Sequence, residues 1–259
     1  MAKKKMKDNE VNVYSVEGKV VKTIELPEVF MTSIRTDLIR RAVVSAQANR
    51  RQSYGPNPRS GMRHAVSTWG KGRGVSRVQR MTGQRTAAES PGTVGGRKAH
   101  PPRPDHDWSK KINKKERMMA RASALAATRD TGLVTRRGHI FEADLTLPVV
   151  VEDDIEVLKT TQEATELLRS VKVYDDVLRA SKKKIRAGRG KMRDRKYRRP
   201  RSVLVALSSS SESSRAFTNI PGVDVSSSKQ LNTEILAPGG EPGRLVLFSE
   251  SALEELRAW

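Results

Sequence analysis

Leu147-Pro148-Val149-Val150-Val151 is an unbroken apolar run. It is too short for a buried helix and lacks the alternation of a half-exposed strand, so it reads as a strand covered on both faces, the mark of a parallel sheet. Val203, Leu204, Val205 and Leu207 repeat the pattern, and so does Leu245 to Phe248. Helix signals follow these runs. Thr160 with Glu163 three residues on is a capping box opening a helix through Leu167 and Leu168, and Ser249 is an N-cap for a final helix holding Ala252, Leu253 and Leu256. Strands alternating with helices predict an α/β domain whose mainly parallel sheet is flanked by helices. Near the start, Val11–Val16 and Lys19–Leu26 are β-rich runs around Glu17-Gly18, a hairpin that ends at Pro27. Its place in the sheet stays open, antiparallel pairing at an edge being one arrangement.

Leu38, Ile39, Ala42, Val43 and Ala46 recur at helical spacing and predict a helix from about Asp37 to Arg51. Asn113 with Glu116, a capping-box-like pair, opens another through Met118, Met119, Ala122, Leu125 and Ala126. Between the two helices the periodicity stops. Residues 53–111 are rich in arginine, glycine and proline, with Glu89 as the one carboxylate before Asp105 and Asp107. A loop this long inside a compact domain is uncommon and usually functional or disordered. The expected organisation is a globular α/β domain from 1–52 and 112–259, an extended basic arm over 53–111, and a second basic loop at 182–201. Doubled back at ~3.3 Å per residue, the arm would reach on the order of 80 Å.

The 259 residues carry a formal net charge of +21, a surplus that points to a polyanion. An acidic membrane surface would require a lipid-facing or aromatic-anchored amphipathic helix, and the sequence offers neither. With 36% hydrophobic and 4% aromatic residues the chain fills one modest core, so one domain with appendages is expected. The absence of cysteine excludes disulfides, a thiol nucleophile and cysteine-ligated metal, and is compatible with a reducing cytoplasm. Met1-Ala2-Lys3-Lys4-Lys5 resembles the start of a signal peptide, but Lys7, Asp8, Asn9 and Glu10 stand where its apolar stretch would begin, so neither export nor insertion is expected.

RNA is the expected partner. In the arm, Arg50, Arg51, Arg59, Arg63, Lys71, Arg73, Arg77, Arg80, Arg85, Arg97, Lys98 and Arg103 are spread rather than clumped, matching phosphates along a folded backbone. The arginine fork bridges two phosphate oxygens or stacks on a base, and Trp69 is placed to stack on an exposed one. A solvated linker has little use for Trp69, Met62 and Met81, so ordering on RNA, from a disordered free state, is the better account. In the second loop the candidates are Lys184, Arg186, Arg189, Lys191, Arg193, Arg195, Lys196, Tyr197, Arg198 and Arg199. This run leads into a buried strand and holds Gly188 and Gly190, which favours a structured phosphate-binding loop over a solvated charged face.

No catalytic residue, cofactor or metal is expected. Gly70-Lys71-Gly72-Arg73-Gly74 lacks the third glycine of a dinucleotide fingerprint and follows no strand, and there is no GxxxxGK[ST] loop. His64, His100, His106 and His139 lack metal-ligand spacing, and Asp105-His106-Asp107 sits in a basic, proline-rich stretch. Asp153-Asp154 reads as the acidic start of a helix, and the tract Ser208–Ser214 as a flexible strand-to-helix connection without assigned function.

Several segments together resemble the archaeal and eukaryotic branch of the universal large-subunit ribosomal protein four family. Arg35-Thr36-Asp37-Leu38-Ile39-Arg40-Arg41-Ala42 through Ala46-Gln47-Ala48-Asn49-Arg50-Arg51-Gln52 is similar to the family's helix before its arm. Gly95-Gly96-Arg97-Lys98-Ala99-His100-Pro101-Pro102 resembles the arm's return, and Arg121–Thr128 the helix after it. Lys184–Pro200 and Asn232–Leu245 resemble its two C-terminal signatures. The resemblance implies a cytoplasmic protein of the ribosome, without catalysis, that binds large-subunit rRNA and supports its assembly. It also implies contact with other large-subunit proteins, and an arm threaded to the wall of the nascent-peptide exit tunnel. There it would meet the ribosomal protein twenty-two family and the nascent peptide, with Arg77, Arg80, Met81, Gln84 and Arg85 nearest the tunnel. The absence of a long extension after Trp259 favours the archaeal form. One residue departs from the family pattern: Asp194 stands where glycine is common, and its carboxylate would repel phosphate unless Arg193 or Arg195 neutralised it. The rival readings are a peripheral RNA chaperone or regulator and an RNA-modifying enzyme on a doubly wound scaffold.

Overall fold

A computed structural model describes residues 9–209 and 213–258. The lysines and carboxylate weighed above at positions 1–8, residues 210–212 of the serine tract, and Trp259 lie outside the described residues.

In chain order, strands β1 (Glu10–Tyr14) and β2 (Val20–Glu25) precede helix α1 (Thr36–Asn49). Two short strands follow, β3 (Val66–Ser67) and β4 (Arg80–Met81), then helices α2 (Lys114–Arg129) and α3 (Thr131–Arg137). Next come β5 (Val149–Val151), α4 (Thr161–Ser170), α5 (Tyr174–Ser181), and the short pair β6 (Lys184–Ile185) and β7 (Tyr197–Arg198). The chain closes with β8 (Leu204–Leu207), α6 (Ser213–Thr218), β9 (Asp224–Ser227), α7 (Thr233–Leu236), β10 (Val246–Ser249) and α8 (Glu250–Glu255).

The main sheet runs β2-β1-β5-β10-β8-β9. Every neighbouring pair is parallel except β1 with β2, the Glu17-Gly18 hairpin, which leaves β2 as an antiparallel edge. Alternation along the central strands explains why their sequences are apolar throughout. Val149, Val151, Val205, Leu207 and Leu247 face one layer with Leu167 and Leu168 of α4, Val177 of α5 and Phe217 of α6. Val150, Leu204, Ala206, Val246 and Phe248 face the other, with Ile39 of α1, Leu125 of α2, Leu236 of α7 and Leu253 of α8. Phe30 meets Phe248 edge-on, with ring centroids 5.9 Å apart. Each such side chain contributes about 1.5–3 kcal/mol on burial, so the two layers together fix the sheet.

Three local expectations need correction. Leu147 and Pro148 lead into the strand rather than join its ladder, and the peptide between them is cis. Asn113 does sit at the N-cap of α2 but makes no side-chain cap bond, and the other half of the expected box is diverted: Glu116 pairs with Arg41 of α1 at 3.2 Å. The serine tract is partly committed: Ser213 and Ser214 begin α6, and Ser208 is anchored by Glu156. The Thr160–Glu163 capping box and the Ser249 cap form as read.

The chain divides into two compact units, one from the described residues up to Ala46 together with those from Lys111, the other Gln47–Lys110.

Candidate nucleic-acid interface

Within the unit of residues 47–110 the chain runs out and returns upon itself. The Lys110 backbone N–H donates to Asn49 Oδ1 at 2.8 Å. Gly61 lies against the returning backbone so closely that a Cβ there would stand 2.5 Å from Arg97 N. Farther out, β3 pairs antiparallel with β4 through Val66 and Met81, and Arg80 bridges to Ala87. The partners fall from 110 to 97 to 81 as the outgoing chain rises from 49 to 61 to 66, which is the signature of a hairpin.

Two clusters hold this unit. At its base Tyr54 stacks on Trp108 with centroids 6.2 Å apart and an interplanar angle of 7°, and the Arg51 guanidinium lies 3.9 Å from the Trp108 ring centroid. His106 meets the same indole edge-on at 4.5 Å. Tyr54 and Trp108 went unremarked in the sequence, although an aromatic on each flank of a basic insertion is a readable sign of a clasp. Farther out, Arg80 is spent on the fold: it donates to the Arg85 carbonyl and, at 3.1 Å, to Ser76 Oγ, and it lies 5.6 Å from the Trp69 ring. Arg80, Met81 and Trp69 are therefore half-buried, whereas Arg77, Gln84 and Arg85 are exposed.

The remaining arm cations are uncommitted. Among the described residues, the side chains of Arg59, Arg63, Lys71, Arg73, Arg77, Arg85, Arg97, Lys98 and Arg103 are exposed and make no ion pair or hydrogen bond. Arg50 is exposed but engaged.

The second loop is a hairpin in which β6 pairs with β7 through Lys184–Arg198 and Ile185–Tyr197. Arg186 closes it, its Nε donating to the Arg195 carbonyl at 3.1 Å. Lys183 and Lys196 lie 4.2 and 5.5 Å from the Tyr197 ring. Lys184, Arg189, Lys191, Arg193, Arg195, Arg198 and Arg199 all point their charge to solvent. Asp194 adopts φ 59°, a left-handed conformation that favours glycine. A glycine would sit there without strain, and aspartate is among the few other residues that tolerate it.

Behind this loop lies a buried polar network. Asp176, fully buried, accepts from Ile140 N (3.0 Å), His139 Nδ1 (3.0 Å), Ser202 Oγ (2.7 Å) and Arg179 (2.9 and 3.2 Å). Burial alone would raise its carboxyl, but the bonds from His139, Arg179 and Ser202 hold it well below the usual carboxylate range. Burial likewise pushes the His139 imidazole down, against the pull of Asp176, so a neutral ring donates its Nδ1–H. Arg244, also fully buried, donates to the carbonyls of Ser202 (3.1 Å) and Ile235 (2.9 Å) and to Asp224 Oδ2 (2.7 Å). Arg244 is thereby spent on the fold, while Arg179, tied to Asp176, keeps part of its side chain exposed.

At the carboxyl ends of the parallel strands, where open α/β sheets bind ligands, the described carboxylates are engaged by serines. Glu156 accepts from Ser208 N (2.7 Å), Ser208 Oγ (2.8 Å) and Ser249 Oγ (2.8 Å). Asp153, in the 3-10 turn Asp153–Glu156, is bonded to Ser251 at both its N–H (2.8 Å) and its hydroxyl. Among the described residues no three His, Asp or Glu side chains are placed to share a metal ion, and no helix is long and apolar enough to cross a membrane.

The chain is similar to known proteins over nearly its whole length. The model of the Ribosomal protein L4/L1 family matches residues 24–259. "Large ribosomal subunit protein uL4" of Archaeoglobus fulgidus is 47% identical over 248 residues, covering 95% of this chain and 98% of the relative. The protein of the same name from Haloquadratum walsbyi is 48% identical over 248 residues, with 95% and 98% covered. That of Methanopyrus kandleri is 46% identical over 253 residues, with 95% and 97% covered.

Proposed function

Because the chain belongs to the Ribosomal protein L4/L1 family, we propose that it is a structural, non-catalytic component of the large ribosomal subunit that binds large-subunit rRNA through two basic hairpins. The observation that carries this reading is the contrast between committed and uncommitted cations. Arg244, buried, and Arg179, half-buried, are committed to bonds with carboxylates and carbonyls, while among the described residues the arm and the second loop display arginines and lysines with no protein partner. Each phosphate such a cation neutralises releases condensed counterion, so affinity should fall steeply with salt.

In this reading the globular unit anchors on rRNA. The arm carries Arg77, Arg80, Met81, Gln84 and Arg85 toward the exit tunnel, where the nascent peptide and the ribosomal protein twenty-two family are its neighbours. The protein works in the cytoplasm, within the ribosome.

Sedimentation of lysate through sucrose at moderate and at high salt, with immunodetection, tests the reading. Retention in the large-subunit peak at both salt levels is the expected result, followed by crosslinking of position 77 or 85 to a stalled nascent chain. Release to the top of the gradient at high salt would make the protein a peripheral RNA chaperone or regulator. Sharp, dispersed NMR signals from Trp69 in the free chain would show that the arm does not order on RNA.

A further inference from the structure

A cavity of about 720 Å³ opens on the globular unit where the end of α3, α5, the exit of the second loop and the 238–242 turn converge. Its lining includes seven arginines and one carboxylate, Glu241. The arginines come from segments far apart in sequence, so the fold, and no single basic run, concentrates them.

They divide into two kinds. Arg137 and Arg179 are fixed, and Arg40 and Arg201 are ion-paired, with Glu241 at 2.7 Å and with Asp224. Arg137 donates to the carbonyls of Pro238 (2.7 Å) and Glu241, and Arg179 is held by Asp176 and donates to the Arg201 carbonyl at 2.7 Å. Burial, with Arg244 and Arg179 nearby, pushes the Arg137 guanidinium down to about 10 even though Glu241 opposes the shift. Arg136, Arg198 and Arg199, by contrast, are exposed and have no side-chain partner among the described residues. Like charges gathered this closely repel one another, and a bound anion is what relieves them. Fixed guanidiniums beside free ones form a preorganised anion site, because part of the ordering is complete before binding.

We propose that this cavity is a second RNA contact, which seats a phosphodiester segment of backbone between Arg136 and Arg199 over the fixed Arg137 and Arg179. The assignment rests on the RNA-binding reading above and specifies a site outside both hairpin tips. RNA is favoured over an acidic peptide because Arg198 and Arg199 belong to the second loop, whose outward cations and Tyr197 continue a path for the same strand.

The test uses the full chain and transcribed large-subunit rRNA, with affinity measured across a KCl series for wild type, R136A, R199A and R136A/R199A, and for the arm variant R73A/R77A. Both cavity positions are exposed and unpartnered, so an unchanged urea midpoint is expected and certifies the fold. The double variant should lose about two units of the log K against log salt slope, additively with the arm variant. Unchanged affinity and slope in the double variant, beside a loss in the arm variant, would overturn the proposal while leaving RNA binding intact. Failure of wild type to bind rRNA would instead defeat the underlying reading. Retained rRNA binding with loss of a crosslink to a neighbouring protein would reassign the cavity to an acidic peptide. Inorganic phosphate, titrated at constant ionic strength, should compete with rRNA for wild type but not for R136A/R199A; a saturable rise in wild-type Tm with phosphate, abolished by R136A/R199A, while rRNA affinity and salt slope are the same in both, would assign the cavity to free phosphate and overturn the RNA assignment.

Discussion

Asp176→Asn preserves shape and removes one charge from the buried network, and its effect can be worked out bond by bond. Oδ1 accepts from Ile140 N–H and Arg179 Nε; Oδ2 accepts from His139, Ser202 and Arg179 Nη2. If the new amide nitrogen takes the Oδ1 place, two donors that cannot rotate away face it. At the Oδ2 place, Ser202 turns to accept and His139 changes tautomer, leaving only Arg179 Nη2 displaced, so this orientation wins. What is lost is the charge of the pair and one charge-assisted bond. Breaking a buried pair costs roughly 3–5 kcal/mol. Because the Arg179 side chain keeps 24% exposure, water partly compensates it, and about 2–4 kcal/mol is the expected loss. For a unit of this size that lowers Tm by roughly 5–15 °C. Urea unfolding followed by far-UV circular dichroism measures it, and Asp176→Asn/Arg179→Met should recover at least half. A loss below about 1 kcal/mol, or no recovery in the double variant, would refute the account of the network as a coupled charge pair.

Stability should also depend on pH through His139. Its folded value is depressed by burial, so the unfolded chain binds a proton near pH 6.5 that the folded ring refuses, and stability falls as pH drops through about 6.5 until the folded ring is itself protonated, with a slope below the one-proton limit of about 1.4 kcal/mol per unit. His139→Asn keeps a donor toward Asp176 and should flatten that slope; an identical pH profile of urea midpoints would exclude His139 as its source. Gly222→Ala should destabilise by roughly 2–4 kcal/mol, since φ is +78° and the new Cβ would stand 2.7 Å from Ala180 Cβ and 2.9 Å from the Pro200 carbonyl. A midpoint within error of wild type would contradict this close approach. Arg51→Ala and Trp108→Ala should each speed amide exchange at Lys110, with a coupling of about 0.5–2 kcal/mol in the double variant. Strict additivity would mean that the guanidinium and the indole do not act together.

The parts of the fold legible in the sequence are those where one local pattern suffices. Val149–Val151, Leu204–Leu207 and Val246–Ser249 read as buried strands because both faces of a parallel sheet demand apolar residues. Strand β9 was missed because Asp224-Val225-Ser226-Ser227 lies at the edge, where only one neighbour and half-burial are required. The capping box read at Asn113 and Glu116 is a local rule, and its glutamate half yields to a tertiary partner, Arg41. The site divides in the same way. Exposed cations clustered in sequence were readable from composition, but nothing in composition separates Arg80, spent on Ser76 and Arg85, from the free Arg77 beside it. The arginine-lined cavity was invisible because Arg136, Arg179 and Arg199 meet only after the sheet has formed.

The bond from Lys110 to Asn49 Oδ1 bears on how such an appendage can exist at all. Where the ends of an insertion meet, the entropy of closing it grows only logarithmically with its length, by about 0.6 kcal/mol for each doubling. An insertion clasped at its neck by Arg51, Tyr54 and Trp108 can therefore lengthen, shorten or change its outer loop while the closure entropy at its base barely changes. The outer loop and the neck are then separate variables, one free to follow the contour of its partner and the other held by ring stacking and the bond from Lys110 N–H to the Asn49 side chain.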